Sequence, residues 1–352
     1  MTSSSNAVTS AAPSTTANPL ISVCIANYNG AAYVEQCIRS VIEQQGECAV
    51  EIILHDDCST DSSVALIREG FPSVLVLEST SNVGFCVSNN RMVAMAKGLY
   101  LLLLNNDAIL RQGSLKALAA HAAIQPKAGI FGLPQYALHD GSLVDRGYGF
   151  DLFMNPIPLF DEGPTEVGFV TGACLWIPRR LWDEIGGFPP WFESVAEDAY
   201  LCSAARLMGH SVTMLKEPGF DHWIGKNLGG GKVTNNKLQS TVRRRTLSER
   251  NKTWVMIMTY PTLLLSLILP IHILLLGLEG IVLLVSGTSW EKVKTIYFSL
   301  PRSLFGDFNS LLKARHKIQA CRAVRFAEYF RKFRLFPHKL RMLMGHGIPE
   351  VR

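Results

Sequence analysis

Leu20–Ala26 (LISVCIA) runs into Asn27-Tyr28-Asn29, Val50–His55 (VEIILH) into Asp56-Asp57-Cys58-Ser59, and Tyr100–Leu104 (YLLLL) into Asn105-Asn106-Asp107. Each is a short apolar run that stops at a polar cluster. Between them lie segments with apolar residues at helical spacing, among them Tyr33, Cys37, Ile38 and Val41. Further helices are expected over Asp61–Glu69, with Asp61 as N-cap, and over Val87–Lys97 and Ser114–Ala123, with another strand at Val74–Glu78. Strands alternating with helices of about 10 residues predict βαβ units, an α/β fold with a mostly parallel sheet covered on both faces. In such a sheet the three polar clusters share the carboxyl edge, where ligands bind near the topological switch point. Strand-end Asp and Asn also begin ordinary turns, but that explanation suits one cluster better than three in succession.

Outward from this core, 352 residues with 48% hydrophobic content exclude a disordered chain and suggest about two domains. Eight cysteines form no CxxC pair, which argues against a zinc ribbon or a disulfide scaffold and fits reduced thiols in the cytosol. The net charge of +5 is unevenly spread: residues 1–252 carry 20 Lys+Arg against 24 Asp+Glu, residues 253–286 only Glu279, and residues 287–352 14 Lys+Arg against 4 Asp+Glu. A basic end beside a long apolar run points to an anionic membrane surface rather than to nucleic acid.

Residues 1–19, rich in Ser, Thr and Ala, lack the pattern of a secretory signal and are expected to be a disordered tail. Beyond about residue 125, strands are expected at Val167–Pro178 and Val212–Leu215, a helix at Glu197–Met208 and a flexible loop at Gly225–Lys232 (GKNLGGGK). Residues 253–278 contain no Asp, Glu, Lys or Arg, a length sufficient to span a bilayer. Pro261 and Pro270 interrupt the run, and basic residues flank both ends: Arg243, Arg244, Arg245, Arg250 and Lys252 before it, Lys292 and Lys294 after it. Because the positive-inside rule places such an excess on one side, a re-entrant hairpin or two broken interfacial helices are expected, with a full span and a buried hairpin as alternatives. Residues 313–341 interleave basic and aromatic side chains and are expected to form a basic amphipathic helix on lipid headgroups. The chain thus divides into 1–19, 20–252 and 253–352.

Ile21–Gly30 (ISVCIANYNG), Glu51–Asp61 (EIILHDDCSTD), Asn82–Arg91 (NVGFCVSNNR), Leu101–Asp107 (LLLLNND), Gly172–Phe188 (GACLWIPRRLWDEIGGF) and Glu197-Asp198 follow one another in this order. In this order the sequence resembles family 2 glycosyltransferases, and within them the rhamnosyltransferase-like branch. The likeness covers about 21–252. It implies the GT-A fold (a Rossmann-like, mostly parallel sheet with flanking helices), a nucleoside-diphosphate sugar donor, Mg²⁺ or Mn²⁺, and inversion at the anomeric carbon. A dTDP-linked deoxysugar such as rhamnose is favoured, with UDP-linked sugars next. The membrane-associating region adds a lipid-linked glycan acceptor in cell-surface polysaccharide assembly, at the cytoplasmic face of the cell membrane.

The resemblance also assigns roles. Asp198 matches the catalytic base, which takes the proton of an acceptor hydroxyl, and Glu197 orients it or the acceptor. Asp56 matches the aspartate that accepts from the nucleotide base, with Asp57 as helper and the backbone of Ala26, Asn27 and Tyr28 flanking the base. Asn105-Asn106-Asp107 aligns with the DxD-type metal motif. Asp107 remains a hard oxygen ligand, while Asn105 replaces the first carboxylate and puts the tightness of metal binding in doubt. Asn105 and Asn106 then belong to the nucleotide-sugar site. His222 aligns with a histidine that completes the metal or diphosphate site, and Asn90-Arg91 would reach a phosphate. Lys226 with glycines 229–231 suggests a lid or a plain flexible loop, and Trp176 and Trp191 are candidates for stacking on sugar rings, with burial in the core as the default for both. Two other readings remain open: a nucleotidyltransferase, although Ala26–Ala32 (ANYNGAA) lacks a basic phosphate loop, and a non-catalytic membrane-bound nucleotide-sugar-binding protein.

Overall fold

β1 (Ile21–Asn27), β2 (Val50–Asp56), β3 (Leu75–Glu78) and β4 (Tyr100–Asn105) pair in parallel in the spatial order β4-β1-β2-β3. The computed structural model describes residues 20–125, 129–162, 166–223, 230–234 and 237–352. The expected tail at 1–19, and Lys226 and Gly229 of the expected lid, lie outside them. Alternate residues of each central strand enter opposite cores. Val23, Ile25, Ile52, Leu54, Leu102 and Leu104 lie on one side, and Cys24, Ile53, Leu101 and Leu103 on the other. The first side is covered by α1 (Val34–Ile42), α2 (Ser63–Gly70) and α4 (Ser114–Ile124), the second by α3 (Phe85–Met95). Asp61 sits one residue outside the cap of α2, yet its Oδ1 accepts from Ser63 N at 3.0 Å and its Oδ2 from Ala31 N at 2.8 Å.

The sheet gains three strands beyond β4. β11 (Cys174–Pro178) lies antiparallel between β4 and β6 (Gly129–Gly132), and β12 (Ser211–Met214) runs parallel to β6 at the edge. A smaller sheet joins β5 (Ala108–Leu110), β13 (Phe220–His222), β7 (Gln135–Ala137) and β8 (Leu143–Asp145). Strands β9 (Tyr148–Asp151) and β10 (Pro156–Pro158) form a hairpin beside the main sheet. The chain winds from β1 outward to β3, then returns to β4 on the other side of β1. A crevice therefore opens at the carboxyl ends of β1 and β4.

Two expectations are corrected. The strand expected over Val167–Pro178 begins only at Cys174, because the chain turns at Thr171, whose carbonyl accepts from Cys174 N. The single amphipathic helix over 313–341 is not formed. A helix over Phe308–Ala320 stops, followed by a helix at Phe326–Phe330, a short strand at Phe333–Arg334 and a helix at His338–His346. The aromatic residues there are packing groups: Phe330 meets the Tyr260 ring edge-on at 4.8 Å, and the Arg206 guanidinium lies over Tyr329 at 4.9 Å. The apolar run is shared between two helices. α7 (Val242–Thr259) passes 252/253 without a break and sends Trp254, Val255, Met256 and Met258 into the core. After the Tyr260-Pro261 turn, α8 (Thr262–Val285) continues through Pro270.

Candidate active site

The crevice is a cleft of about 600 Å³ floored by β1 and β4 and walled by residues 193–199, the β9–β10 hairpin and α7. Of the residues singled out in the sequence it brings together Ala26, Asn27, Tyr28, Asp57, Asn105, Asn106, Glu197, Asp198 and His222.

Asp198 stands in the first turn of α6 (Glu197–Leu207), where the positive end of the helix favours a carboxylate. Its Oδ1 accepts from Ala199 N at 2.7 Å and its Oδ2 from Gly172 N at 3.0 Å, so the turn before β11 and the start of α6 both hold it. Burial raises the Asp198 carboxyl above the usual range, while these backbone donors and Arg244 oppose the rise. Glu197 is pushed up further, to about 8, by burial and then by the charge of Asp198. Among the described residues its Oε2 is buried without a hydrogen-bond partner. With two N–H donors on Asp198 and none on that oxygen, the geometry favours the negative charge on Asp198 over Glu197.

The segment before α6 is strained. Glu193, Val195 and Ala196 hold φ of 62°, 71° and 68°, a left-handed conformation costly for a β-branched residue such as Val195. Asn251 of α7 holds it in place: its buried Nδ2 donates to the carbonyls of Phe192 (2.9 Å), Ser194 (2.9 Å) and Val195 (2.7 Å). Arg250 adds bonds to the Trp191 and Phe192 carbonyls and an ion pair with Glu193 at 3.0 Å. Sequence reasoning missed both roles, since nothing at positions 250–251 distinguishes them from any polar helix residues. Arg243 and Arg244 of the same helix line the cleft, although the sequence suggested only a membrane flank for them.

The two aspartates after β2 divide differently. Asp57 lines the cleft and accepts from Val83 N (2.6 Å) and Gly84 N (2.9 Å), which fixes the turn before α3. Asp56 is buried beneath it, its oxygens taken by Asn27 Nδ2 (2.8 Å), Ser59 Oγ (2.6 Å) and Ser59 N (2.9 Å). Asn27 Oδ1 in turn accepts from Asn106 Nδ2 at 2.8 Å, so Asp56 orients the edge of β1 and β4 from below.

Antiparallel pairing of β13 with β5 sets His222 opposite Ala108, and His222 Nε2 lies 3.0 Å from Asp107 Oδ1 and 3.5 Å from Asn105 Nδ2. His222 Nδ1 is buried without a partner among the described residues. Among the described residues no group of three His, Cys, Asp or Glu side chains clusters as a metal cage. One carboxylate and one imidazole nevertheless fit an ion that keeps substrate phosphate and water ligands, as Mg²⁺ and Mn²⁺ do.

Other expected residues stand elsewhere. Asn90 bridges to the Phe188 backbone (2.8 and 3.0 Å), and Arg91 donates to Ser79 Oγ at 2.5 Å, outside the cleft lining. Trp176 is buried against Tyr100, with ring centroids 4.9 Å apart, and Trp191 packs edge-on to Phe192. Besides Tyr28, the aromatic residues Phe85, Tyr148, Phe150 and Phe169 line the cleft. The last three form a continuous stack with centroid spacings of 4.7 and 4.9 Å.

The family model described as glycosyl transferase family 2 matches residues 22–186, the stretch from β1 through α5 (Arg179–Ile185). The stretch 22–186 belongs to this family. The chain is 31% identical over 134 residues to an uncharacterised protein of Mycobacterium tuberculosis, covering 38% of this chain and 41% of that protein. A second relative, the N-acetylglucosaminyl-diphospho-decaprenol L-rhamnosyltransferase of the same organism, is 23% identical over 214 residues, covering 52% of this chain and 69% of the relative. The fold of this chain is similar to that of GalNAc-T7 solved with UDP, GalNAc and Mn²⁺. That match has a TM-score of 0.61 at 15% identity and covers 96% of this chain and 60% of GalNAc-T7. The GT-A architecture expected of the family is therefore the one observed.

Proposed function

We propose that this chain is an inverting glycosyltransferase. It moves a sugar, a deoxysugar such as rhamnose, from a dTDP- or UDP-linked donor to a hydroxyl of a lipid-linked glycan at the cytoplasmic face of the cell membrane. The observation that carries the reading is Asp198, a half-buried carboxylate held by two backbone N–H groups at the wall of a cleft whose floor is the β1/β4 switch point. The rhamnosyltransferase relative, whose name specifies a diphospho-decaprenol acceptor, supports the sugar and the lipid carrier.

In this reading the nucleotide lies across Ala26–Tyr28 and Asp57, with Asp56 fixing Asn27 from beneath. Asp198 accepts the proton of the acceptor hydroxyl as that oxygen bonds to the anomeric carbon, and the bond from that carbon to the diphosphate breaks from the opposite face. Glu197, protonated, adds no second negative charge beside the base. Arg243 and Arg244 face the cleft as cations for the phosphate oxygens. Asp107 and His222 would hold Mg²⁺ or Mn²⁺, which when bound supplies charge neutralisation to the leaving diphosphate. Residues 253–352 attach the domain to the membrane.

The test is direct transfer from dTDP-rhamnose to a polyprenyl-diphosphate acceptor by wild type and Asp198→Asn. The variant is expected to lose about 10²-fold or more in turnover with donor binding retained. Unchanged turnover removes Asp198 from the mechanism, and the absence of transfer from any nucleotide sugar refutes the reading.

A further inference from the structure

The 24-residue α8 contains a single charged side chain, Glu279. His272, Leu276, Glu279, Gly280 and Leu283 recur at intervals of one, three and four and form one stripe. That stripe faces the protein. His272 Nε2 lies 2.9 Å from Thr253 Oγ1, Glu279 is paired with Arg245 and, at 2.7 Å, with Lys339, and Gly280 abuts Val293 and Tyr297. The opposite stripe, Leu263, Leu267, Leu274, Leu278, Ile281 and Val285, is exposed, from 49% at Leu278 to 84% at Val285.

At about 1.5 Å per residue the helix is some 36 Å long, sufficient to cross a bilayer. Both of its ends are tied to one folded body instead. Thr262 Oγ1 at the first turn accepts from Arg315 Nη2 at 3.0 Å, and Arg315 also donates to the Tyr260 carbonyl at 2.8 Å. Near the other end Leu276 and Leu283 pack with Val293, Ile296 and Leu300. Turning α8 across a membrane would break these contacts and strand Glu279 in hydrocarbon. The neighbouring surface suits headgroups. Trp290 and Phe298 are exposed and meet edge-on at 5.4 Å, Lys294 and Arg302 are exposed beyond the C-terminal end, and Lys313 and His316 share a hollow with Pro261 and Thr262 at the other.

We propose that α8 is an in-plane membrane anchor whose outward stripe enters one leaflet of an anionic bilayer with the helix axis parallel to the surface. This deepens the lipid-linked reading above, but its test measures lipid binding and depth, so the two stand or fall separately. The full chain should float with vesicles of phosphatidylcholine and phosphatidylglycerol, and about 10-fold less with phosphatidylcholine alone. The triple variant Leu267→Glu, Leu274→Glu, Ile281→Glu should lose flotation about 10-fold while keeping the wild-type melting profile and transfer to a water-soluble acceptor. Fluorophores attached separately at Leu263→Cys, Leu274→Cys and Val285→Cys, quenched by brominated lipids, should report one shared shallow depth. This measurement decides the matter even if the triple variant does not fold. A deep centre between two shallow ends means a span and overturns the proposal. Flotation unchanged by the triple variant overturns it as well, as does a lipid-indifferent dimer that the variant splits into monomers. Loss of all sugar transfer with flotation and depth as expected leaves the anchor standing and removes the transferase reading.

Discussion

Replacing Asn251 by alanine separates holding the fold from holding the proposed catalytic carboxylate. The Asn251 amide carries two hydrogens shared among three carbonyls at 2.7–2.9 Å, and its own Oδ1 accepts from Arg250 Nε at 2.9 Å. Two lost hydrogen bonds at about 1 kcal/mol each, plus buried carbonyls left unpaired at Ser194 and Val195, amount to about 2–4 kcal/mol. The Phe192 carbonyl keeps Arg250 as a donor at 3.1 Å. Against this, the released segment escapes left-handed strain of about 1–3 kcal/mol at Val195. The net loss of stability should therefore be small, about 1–2 kcal/mol. Turnover should fall much further, about 10²-fold, because Glu197-Asp198 follow directly from the freed residues and a displacement near 1 Å has that effect. Urea denaturation and initial rates of transfer on the same preparation measure the two quantities. Asn251→Asp should be worse than alanine, since it sets a carboxylate oxygen against the same carbonyls. A variant with turnover unchanged, or with activity lost only in proportion to folded protein, refutes the clamp.

Glu197 provides a prediction with a definite pH sign. Its pKa rises from an unfolded value of about 4.3 to about 8 in the folded protein, so the stability it contributes is complete below pH 4 and is lost as pH rises through 8. Glu197→Gln should accordingly be more stable than wild type at pH 9, with the gap closing toward pH 5; denaturation midpoints across this range that move in parallel contradict the assignment. Asp107→Ala should weaken donor binding in the presence of Mn²⁺ and leave the Mn²⁺-free affinity unchanged, as read by calorimetry; the same loss under both conditions shows that the side chain serves only the fold. Gly30→Ala should abolish donor binding in the same assay, since its Cβ would stand 2.1 Å from Asn27 Oδ1 and 2.3 Å from Asn106 Nδ2 and part the bond between them.

Much of the site was legible because it is local. The ends of β1, β2 and β4 are each a strand followed by its own polar residues, and parallel pairing brings such ends to one edge without further information. Asp198 was legible as an acid opening a helix. The division of labour between Asp56 and Asp57 was not, because adjacent residues at a strand end point to opposite sides and only the packed sheet shows which side is open. Trp176 was a candidate sugar platform on chemistry alone, with burial as the default. The structure buries it and supplies Tyr148, Phe150 and Phe169 instead, two of them from a hairpin whose position depends on Phe333 from near the end of the chain.

By itself the sequence determined the alternation of strand and helix, the carboxyl-edge clustering of polar residues and the family order of motifs, all of which rest on spacing within a few dozen residues. Only the tertiary structure decided that Asn251 holds Ser194 across 57 positions of chain, that the apolar run begins as core and ends as surface, and that Arg245 and Lys339 bind one face of α8. Hydrophobicity says that a residue leaves water. Whether it enters protein or lipid depends on which distant surfaces fold against it, and that partner is absent from any local pattern.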